Sequence, residues 1–188
     1  MDTSAIIIII IVGIILLLVF YGIGVYNKLV NARNKVNDQF AQIDVQLKRR
    51  VDLIPNLVET VKGYAKHEEK TLKEVIEARN KMTTANGINE ELEASNQVTA
   101  ALNKLFALSE AYPDLKANTN FLDLQDQLKG VENDIANSRK YYNAVVKQFN
   151  TKCEMFPSNI IAGICHFEKK PMFEVDSAEE RKNVEVKF

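Results

Sequence analysis

The sequence has no tryptophan and only two histidines, His67 and His166. It has two cysteines, Cys153 and Cys165, with four prolines and seven glycines among 188 residues. So few cysteines exclude a disulfide-dense scaffold, and their spacing excludes a Cys-x-x-Cys redox or zinc motif. Two free thiols in a reducing compartment is the simpler expectation, with a single disulfide as the alternative. Helical zinc sites need ligands on one face, as in His-Glu-x-x-His, and neither histidine has such a partner. There is no Gly-rich phosphate loop and no Gly-x-Ser-x-Gly. An excess of charge of one sign is also missing. Lys and Arg total 24 and Asp and Glu total 25, for a net charge of −1. Without a basic face there is no electrostatic case for nucleic acid. Few breakers, with abundant Ala, Leu, Lys, Glu, Gln and Asn, favour helices over sheets.

What the chain does have is a long apolar run. No residue from Ala5 to Tyr26 is charged, and Ile6 to Ile11 is unbroken isoleucine. A bilayer core needs roughly 20 apolar residues in a helix. In lipid, unsatisfied backbone groups force that helix whatever the β-branched content. Tyr21 and Tyr26 stand at one end, where amphipathic rings prefer the headgroup level. A cleaved signal peptide would want a basic n-region, a shorter run and a small-x-small cleavage site, none of which is present. An uncleaved anchor is therefore expected over residues 5–26. Lys28, Arg33 and Lys35 follow it, then Lys48, Arg49 and Arg50. By the positive-inside rule the C-terminal part is expected in the cytoplasm and the N-terminus outside. Gly13, Gly22 and Gly24 lack Gly-x-x-x-Gly spacing, so they make a weak case for helix dimerisation.

The remaining residues, about 160, suffice for one domain with a core. Val36, Phe40, Ile43 and Leu47 form one helical stripe, with no Gly or Pro from Val25 to Ile54. The anchor is thus expected to run into the first bundle helix as a stalk. Pro55 disfavours helical geometry at Ile54, which predicts a boundary there. A second helix is expected from Pro55 to about Thr83, striped by Val58, Val61, Ala65, Leu72 and Val75 or Ile76. Asn86-Gly87 marks a turn. A third helix, from about Asn89 to Tyr112, carries Leu92, Val98, Leu102, Leu105 and Leu108 or Ser109, and Pro113 ends it. Asn118, Thr119 and Asn120 are candidate N-caps. In the fourth helix Phe121, Leu124, Leu128, Val131, Ile135, Ser138, Tyr142, Val145 and Phe149 alternate spacings of 3 and 4, with only Ser138 polar. That is the pattern of knobs-into-holes packing. Short links argue for antiparallel neighbours. The expected fold is all-α: one transmembrane helix continuing into an antiparallel four-helix-bundle-like domain over 27–155, then a short irregular tail over 156–188. In the tail Val184, Val186 and Phe188 alternate as a docked strand would. Phe156, Ile160, Ile161, Phe167 and Phe173 suit covering one end of the bundle, or binding a partner or the membrane surface.

The densest polar patch runs from Asp44 to Asn56. Lys48, Arg49, Arg50, Asp52 and Asn56 form a charged helix end, with basic residues favouring the dipole and Asp52 a candidate cap. The same residues are the candidate docking surface for a protein partner or an anionic headgroup. Arg139, beside Ser138, is expected to pair with a carboxylate such as Glu59 or Asp44. His67 reads as a solvated residue, and Cys165 beside His166 does not make a nucleophile–base pair.

Several stretches together resemble the LemA family of bacterial membrane proteins. They begin with Tyr26-Asn27-x-Leu29-Val30. A long central run follows from Ile43-Asp44-Val45-Gln46-Leu47 through Lys48-Arg49-Arg50-Val51-Asp52 and Leu53-Ile54-Pro55-Asn56-Leu57-Val58 to Gly63-Tyr64-Ala65 and His67-Glu68. Later come Leu115-Lys116-Ala117-Asn118 with Phe121-Leu122, Glu132-x-x-Ile135-Ala136 with Arg139, Tyr142-Asn143, Phe149-Asn150 and Phe156-Pro157-Ser158. The last 30 or so residues fit the pattern least. The resemblance implies a membrane helix, a cytoplasmic helical bundle, and no established reaction or cofactor. The expected function is a membrane-anchored, non-enzymatic scaffold or adaptor of the bacterial envelope. It would assemble through helices with itself or with a membrane protein, without catalytic residues, metal, cofactor or small-molecule substrate. The alternatives are an accessory regulatory subunit of a membrane enzyme such as a protease, and an enzyme with a polar site around Arg139 open to a pocket.

Overall fold

The structure is a computed structural model and describes residues 3–173. These residues form six helices and no strand. They are α1 (Thr3–Tyr64), α2 (Glu69–Thr84), α3 (Ile88–Ser109), α4 (Pro113–Lys116), α5 (Thr119–Glu154) and α6 (Ser158–Ile164). The alternation expected at Val184, Val186 and Phe188 lies outside the described residues. The chain divides into two compact units at Gln42/Ile43, Arg139/Lys140 and Pro171/Met172.

The unit holding residues 43–139 is a helical bundle. Its core joins Ile54, Leu57, Val58 and Val61 of α1 to Leu72 and Val75 of α2. Val98, Leu102 and Leu105 of α3, Leu115 of α4, and Phe121 and Leu128 of α5 complete it. Most residues of the expected stripes are buried, while Leu92 and Leu124 are half-buried. Where two residues competed, Val75 is buried and Ile76 exposed, and Ser109 is buried, its hydroxyl donating to the Phe106 carbonyl at 2.6 Å. Short links, three residues between α2 and α3, fold consecutive helices back on one another. Gly87 opens α3 with φ 88°, a left-handed angle that glycine adopts without strain. Of the three candidate caps, Asn118 does the work, its Oδ1 accepting from the Phe121 N–H at 3.0 Å.

The expected boundary at Ile54 is absent, because α1 runs through Pro55 to Tyr64. A helical proline removes the N–H that would bond the carbonyl four residues back, here Val51. Arg79 of α2 supplies the missing donor: its Nε bonds the Val51 carbonyl at 3.2 Å. The apolar stripe also continues without a phase change through Val51, Ile54, Leu57 and Val61, all buried. The break falls instead at residues 65–68, just past Gly63, so the expected second helix is the end of α1 plus α2. The third helix likewise stops at Ser109, and Pro113 starts α4 rather than ending α3.

The other unit contains α1 up to Gln42, residues 140–154 of α5, and α6, which occupies part of the stretch expected to be irregular. Ala162, Ile161 and Phe167 pack on Val25 and Leu29 of α1, with Cys153 alongside. α6 ends in a Schellman motif. His166 takes a left-handed φ of 54°, the Phe167 N–H reaches the Ala162 carbonyl at 2.9 Å, and the His166 N–H reaches Gly163 at 3.3 Å. This turn aims Phe167 at α1, where its ring meets Tyr26 edge-on and lies beneath the Arg33 guanidinium. Asn150 then holds the outgoing chain reciprocally. Its Nδ2 donates to the Lys170 carbonyl and its Oδ1 accepts from the Lys170 N–H, both at 2.9 Å. Of the tail residues expected to cover an end of the bundle, Phe173 is buried, Ile161 and Phe167 are partly buried, and Phe156 and Ile160 are exposed. Both cysteines are free thiols, Cys153 half-buried and Cys165 exposed.

From Ile6 to Phe20 every side chain of α1 is exposed. The helix is long and apolar enough in this part to cross a membrane.

Candidate functional site

Inside the bundle lies a layer of polar side chains drawn from three helices. Helical spacing builds it: Gln46 and Arg50 sit one turn apart on α1, Glu91, Ser95 and Thr99 repeat every fourth residue on α3, and Glu132 and Arg139 stand seven apart on α5. Arg50 is the centre, with only 3% of its surface exposed. Its Nη1 donates to the Ser95 carbonyl and hydroxyl at 3.4 and 3.3 Å. Its Nη2 donates to Thr99 Oγ1 at 2.9 Å and lies 2.6 Å from Glu132 Oε2. The Glu132 contact is close but poorly aligned for a hydrogen bond, so the attraction is mainly Coulombic. Thr99 completes the layer, its hydroxyl near both the Ser95 carbonyl at 3.1 Å and Glu132 Oε1 at 3.4 Å.

Burial pushes the Arg50 pKa down, Glu132 pulls it back up, and Arg139 lowers it further. Burial likewise lowers that of Arg139, against the nearby Glu132 and Glu91. The Glu91 carboxyl is pushed up, first by burial and then by Asp44, while a backbone hydrogen bond from Gly87 and the charge of Arg139 oppose the rise. Among the described residues no carboxylate lies within 4 Å of Arg139, which corrects the expected pairing with Glu59 or Asp44. Arg139 instead lies over the Phe173 ring, 5.4 Å from its centroid, and feels the charges of Glu132 and Glu91. Gln46 Oε1, Glu91 Oε2, and Arg139 Nε and Nη2 are buried without hydrogen-bond partners among the described residues.

The docking candidates separate. Arg50 is withdrawn from the surface, whereas Lys48, Arg49, Asp52 and Asn56 are exposed. Arg49 approaches Asp134 at 3.9 Å with both side chains about half exposed, an arrangement worth at most about 1 kcal/mol. Lys48 and Asp52 line a cleft of about 380 Å³ together with Asp44, Arg79 and Glu91. The cleft thus meets the buried layer at Glu91. Ser95, Thr99, Glu91, Gln46 and Arg79 were not singled out from sequence. The i, i+4, i+8 run Glu91–Ser95–Thr99 beside the α3 stripe is the signal that could have found three of them. His67 is exposed. No cluster of three potential metal ligands occurs among the described residues.

A guanidinium stays charged in a protein, so Arg50 and Arg139 can hold anions but cannot take up protons as bases. The layer's chemistry is fixed charge, with Glu91 as the one member whose carboxyl is raised. Fold and site together define an all-α protein whose bundle is organised by a buried arginine layer and whose first helix carries a membrane-length apolar segment. More particularly, the chain belongs to the LemA family, whose sequence pattern matches residues 39–188. It is similar to Protein LemA of Metamycoplasma hominis, with 26% identity over 144 residues, 76% of this chain. That match spans 66% of the relative's length.

Proposed function

We propose that the chain is a membrane-anchored, non-enzymatic scaffold or adaptor of the bacterial envelope, acting by helix-mediated assembly with itself or with a membrane protein partner. The observation that carries this reading is α1, a single uninterrupted helix from Thr3 to Tyr64 that supplies both the apolar segment and the core stripe of the bundle. Anchoring confines copies to two dimensions and raises their effective concentration, so weak helix contacts suffice for assembly. The positive charges following the apolar segment favour a cytoplasmic bundle. Purification in detergent with mass measurement and identification of co-purifying proteins tests the proposal. The expected particle exceeds one chain in mass. A lone monomer without a partner would overturn it.

An accessory regulatory subunit of a membrane enzyme is the second reading, favoured by the exposed charged cleft at Lys48, Asp52 and Arg79. Lys48→Ala/Arg49→Ala is the variant for its pull-down, because Arg50 is structural. Unchanged recovery of a partner would remove this surface from the argument.

A further inference from the structure

We propose that α6 and a three-lysine groove beside it form a second membrane contact, one that binds anionic lipid at the headgroup level next to the apolar segment of α1. The inference rests on the anchor reading and extends it to a site with a defined ligand class.

Two independent observations carry it. The first is the outer face of α6. Ala162 and Ile161 face α1, and a Cβ on Gly22 would lie 3.7 Å from Ile161 Cδ1. Ile160 and Ile164, four apart on a different stripe of α6, are 51% and 69% exposed, and Met155 and Phe156 in the turn that enters α6 are also open, Phe156 at 78%. A short helix and its entry turn that offer branched and aromatic side chains to solvent are costly in water. Its contact at Gly22 puts it at the end of the uncharged run, beside exposed Tyr21, Ile23 and Tyr26 of α1. Interfacial segments bury such a face roughly 5–10 Å into the headgroup–acyl boundary.

The second is charge. Lys28 and Lys35 of α1 and Lys152 of α5 line a groove of about 140 Å³ with Asn31, Ala32 and Gln148. Among the described residues none of the three lysines is within 4 Å of a carboxylate, unlike Lys169, which pairs with Glu154 at 2.8 Å. If residues 6–25 fill the hydrocarbon core, Lys28 falls about 4.5 Å beyond it at 1.5 Å per residue, within the headgroup layer. Lys35 falls about 15 Å beyond the core, so the groove begins in the headgroup layer at Lys28 and rises above it, and the long lysine side chains reach back toward the phosphates. Continuity with the apolar segment and uncompensated positive charge select an anionic lipid over a second protein.

The absence of tryptophan from the chain gives a clean probe. Phe156→Trp and Val12→Trp are each made in the full chain and reconstituted into phosphatidylcholine–phosphatidylglycerol liposomes carrying brominated acyl chains. The Val12→Trp emission is expected to be quenched by bromines near the bilayer centre. The Phe156→Trp emission is expected to be blue-shifted and quenched by bromines near the headgroup, with Ile164→Trp as the substitute if Phe156→Trp folds poorly. A water-like, unquenched residue 156 in a protein whose residue 12 is quenched overturns the α6 contact and leaves the anchor intact. A blue-shifted but unquenched residue 156 reports protein on that face and also overturns it. An unquenched residue 12 overturns the anchor reading itself. For the groove, lipid retention is compared by native mass spectrometry from detergent. Wild type is expected to retain phosphatidylglycerol over phosphatidylcholine. A lysine at an anionic surface is worth roughly fivefold and one further out less, so Lys28→Gln/Lys35→Gln/Lys152→Gln is expected to lose at least roughly fivefold in that preference. Equal retention by wild type and variant overturns the lysine site.

Discussion

α1 contains the same amino acid in two opposite situations. Ile8, in its N-terminal third, is 60% exposed, and Ile54, in its C-terminal third, is wholly buried. Composition does not separate them, but periodicity does. Residues 6–20 are apolar on every face, so no packing against one neighbour could bury them all. Residues 43–61 bury one apolar stripe and are mostly polar or charged elsewhere, which is what a bundle face requires. The first pattern asks for a solvent that is apolar all round, and the second for a partner helix. One helix thus carries two patterns, one suited to an apolar solvent and one to a helix partner.

The comparison is broken most severely by a carboxylate on either side. Leu57→Asp puts a charge into the packed core and is expected to cost more than about 4 kcal/mol, seen as loss of the cooperative thermal transition in circular dichroism. Leu17→Asp is expected to leave that transition unchanged and to weaken membrane insertion by about 3 kcal/mol, read by membrane fractionation. Next in size is the buried layer. Glu132→Gln takes the counter-ion from the buried Arg50 charge, and because the Glu132 side chain is 43% exposed the change is expected to cost about 1–2 kcal/mol in denaturant unfolding. Arg50→Met removes that charge along with its desolvation cost and is expected to stay within about 1 kcal/mol of wild type. If Arg50→Met proves as damaging as Glu132→Gln, the layer holds the bundle by more than charge balance.

Arg79→Met strips the donor from the Val51 carbonyl and is expected to cost about 1–2 kcal/mol. In a Pro55→Ala background the restored backbone N–H can serve Val51, so the same change is expected to cost less. A double-mutant cycle with no coupling would show that the two residues act separately. Asn118→Ala, losing the cap of α5, is expected to cost about 1 kcal/mol by the same unfolding measurement. The smallest effect concerns pH. The Glu91 carboxyl is raised in the folded protein, so the fold binds its proton more tightly than the unfolded chain does. Its contribution is fully present below the ordinary carboxylate pKa and is lost as pH rises through the folded value. Glu91→Gln is therefore expected to be more stable than wild type at neutral pH, the advantage shrinking as pH falls through the raised folded value and gone once pH is below the ordinary carboxylate pKa.

Much of the fold was legible because stripes at spacings of 3 and 4 leave little choice of buried face. Phe121, Leu128, Val131, Ile135, Tyr142, Val145 and Phe149 all lie inside as their spacing required. Pro55 misled because a proline reports only a missing local hydrogen bond. Whether a distant side chain replaces it depends on tertiary structure, although the unshifted stripe from Val51 to Val61 was a visible hint. The site was less legible. Arg50 is one of five polar candidates close in sequence, and nothing local distinguishes the one that turns inward from Lys48 and Arg49. Its partners Ser95, Thr99 and Glu132 are 45, 49 and 82 residues away, a proximity that only packing creates. The membership in the LemA family was carried by motifs, and those motifs include Arg50, Glu132 and Arg139 without saying that they meet.

The Arg79–Val51 bond has a consequence for cooperativity. The helical ladder of α1 is completed at that point by a group belonging to α2, so the turn around Pro55 is not a locally stable unit. When α2 detaches, the carbonyl loses its donor and the proline regains its tendency to break the helix. The last turns of α1 and the whole of α2 should therefore open together, as one foldon, in native-state hydrogen exchange. In this bundle the continuity of a helix is a property of its neighbour.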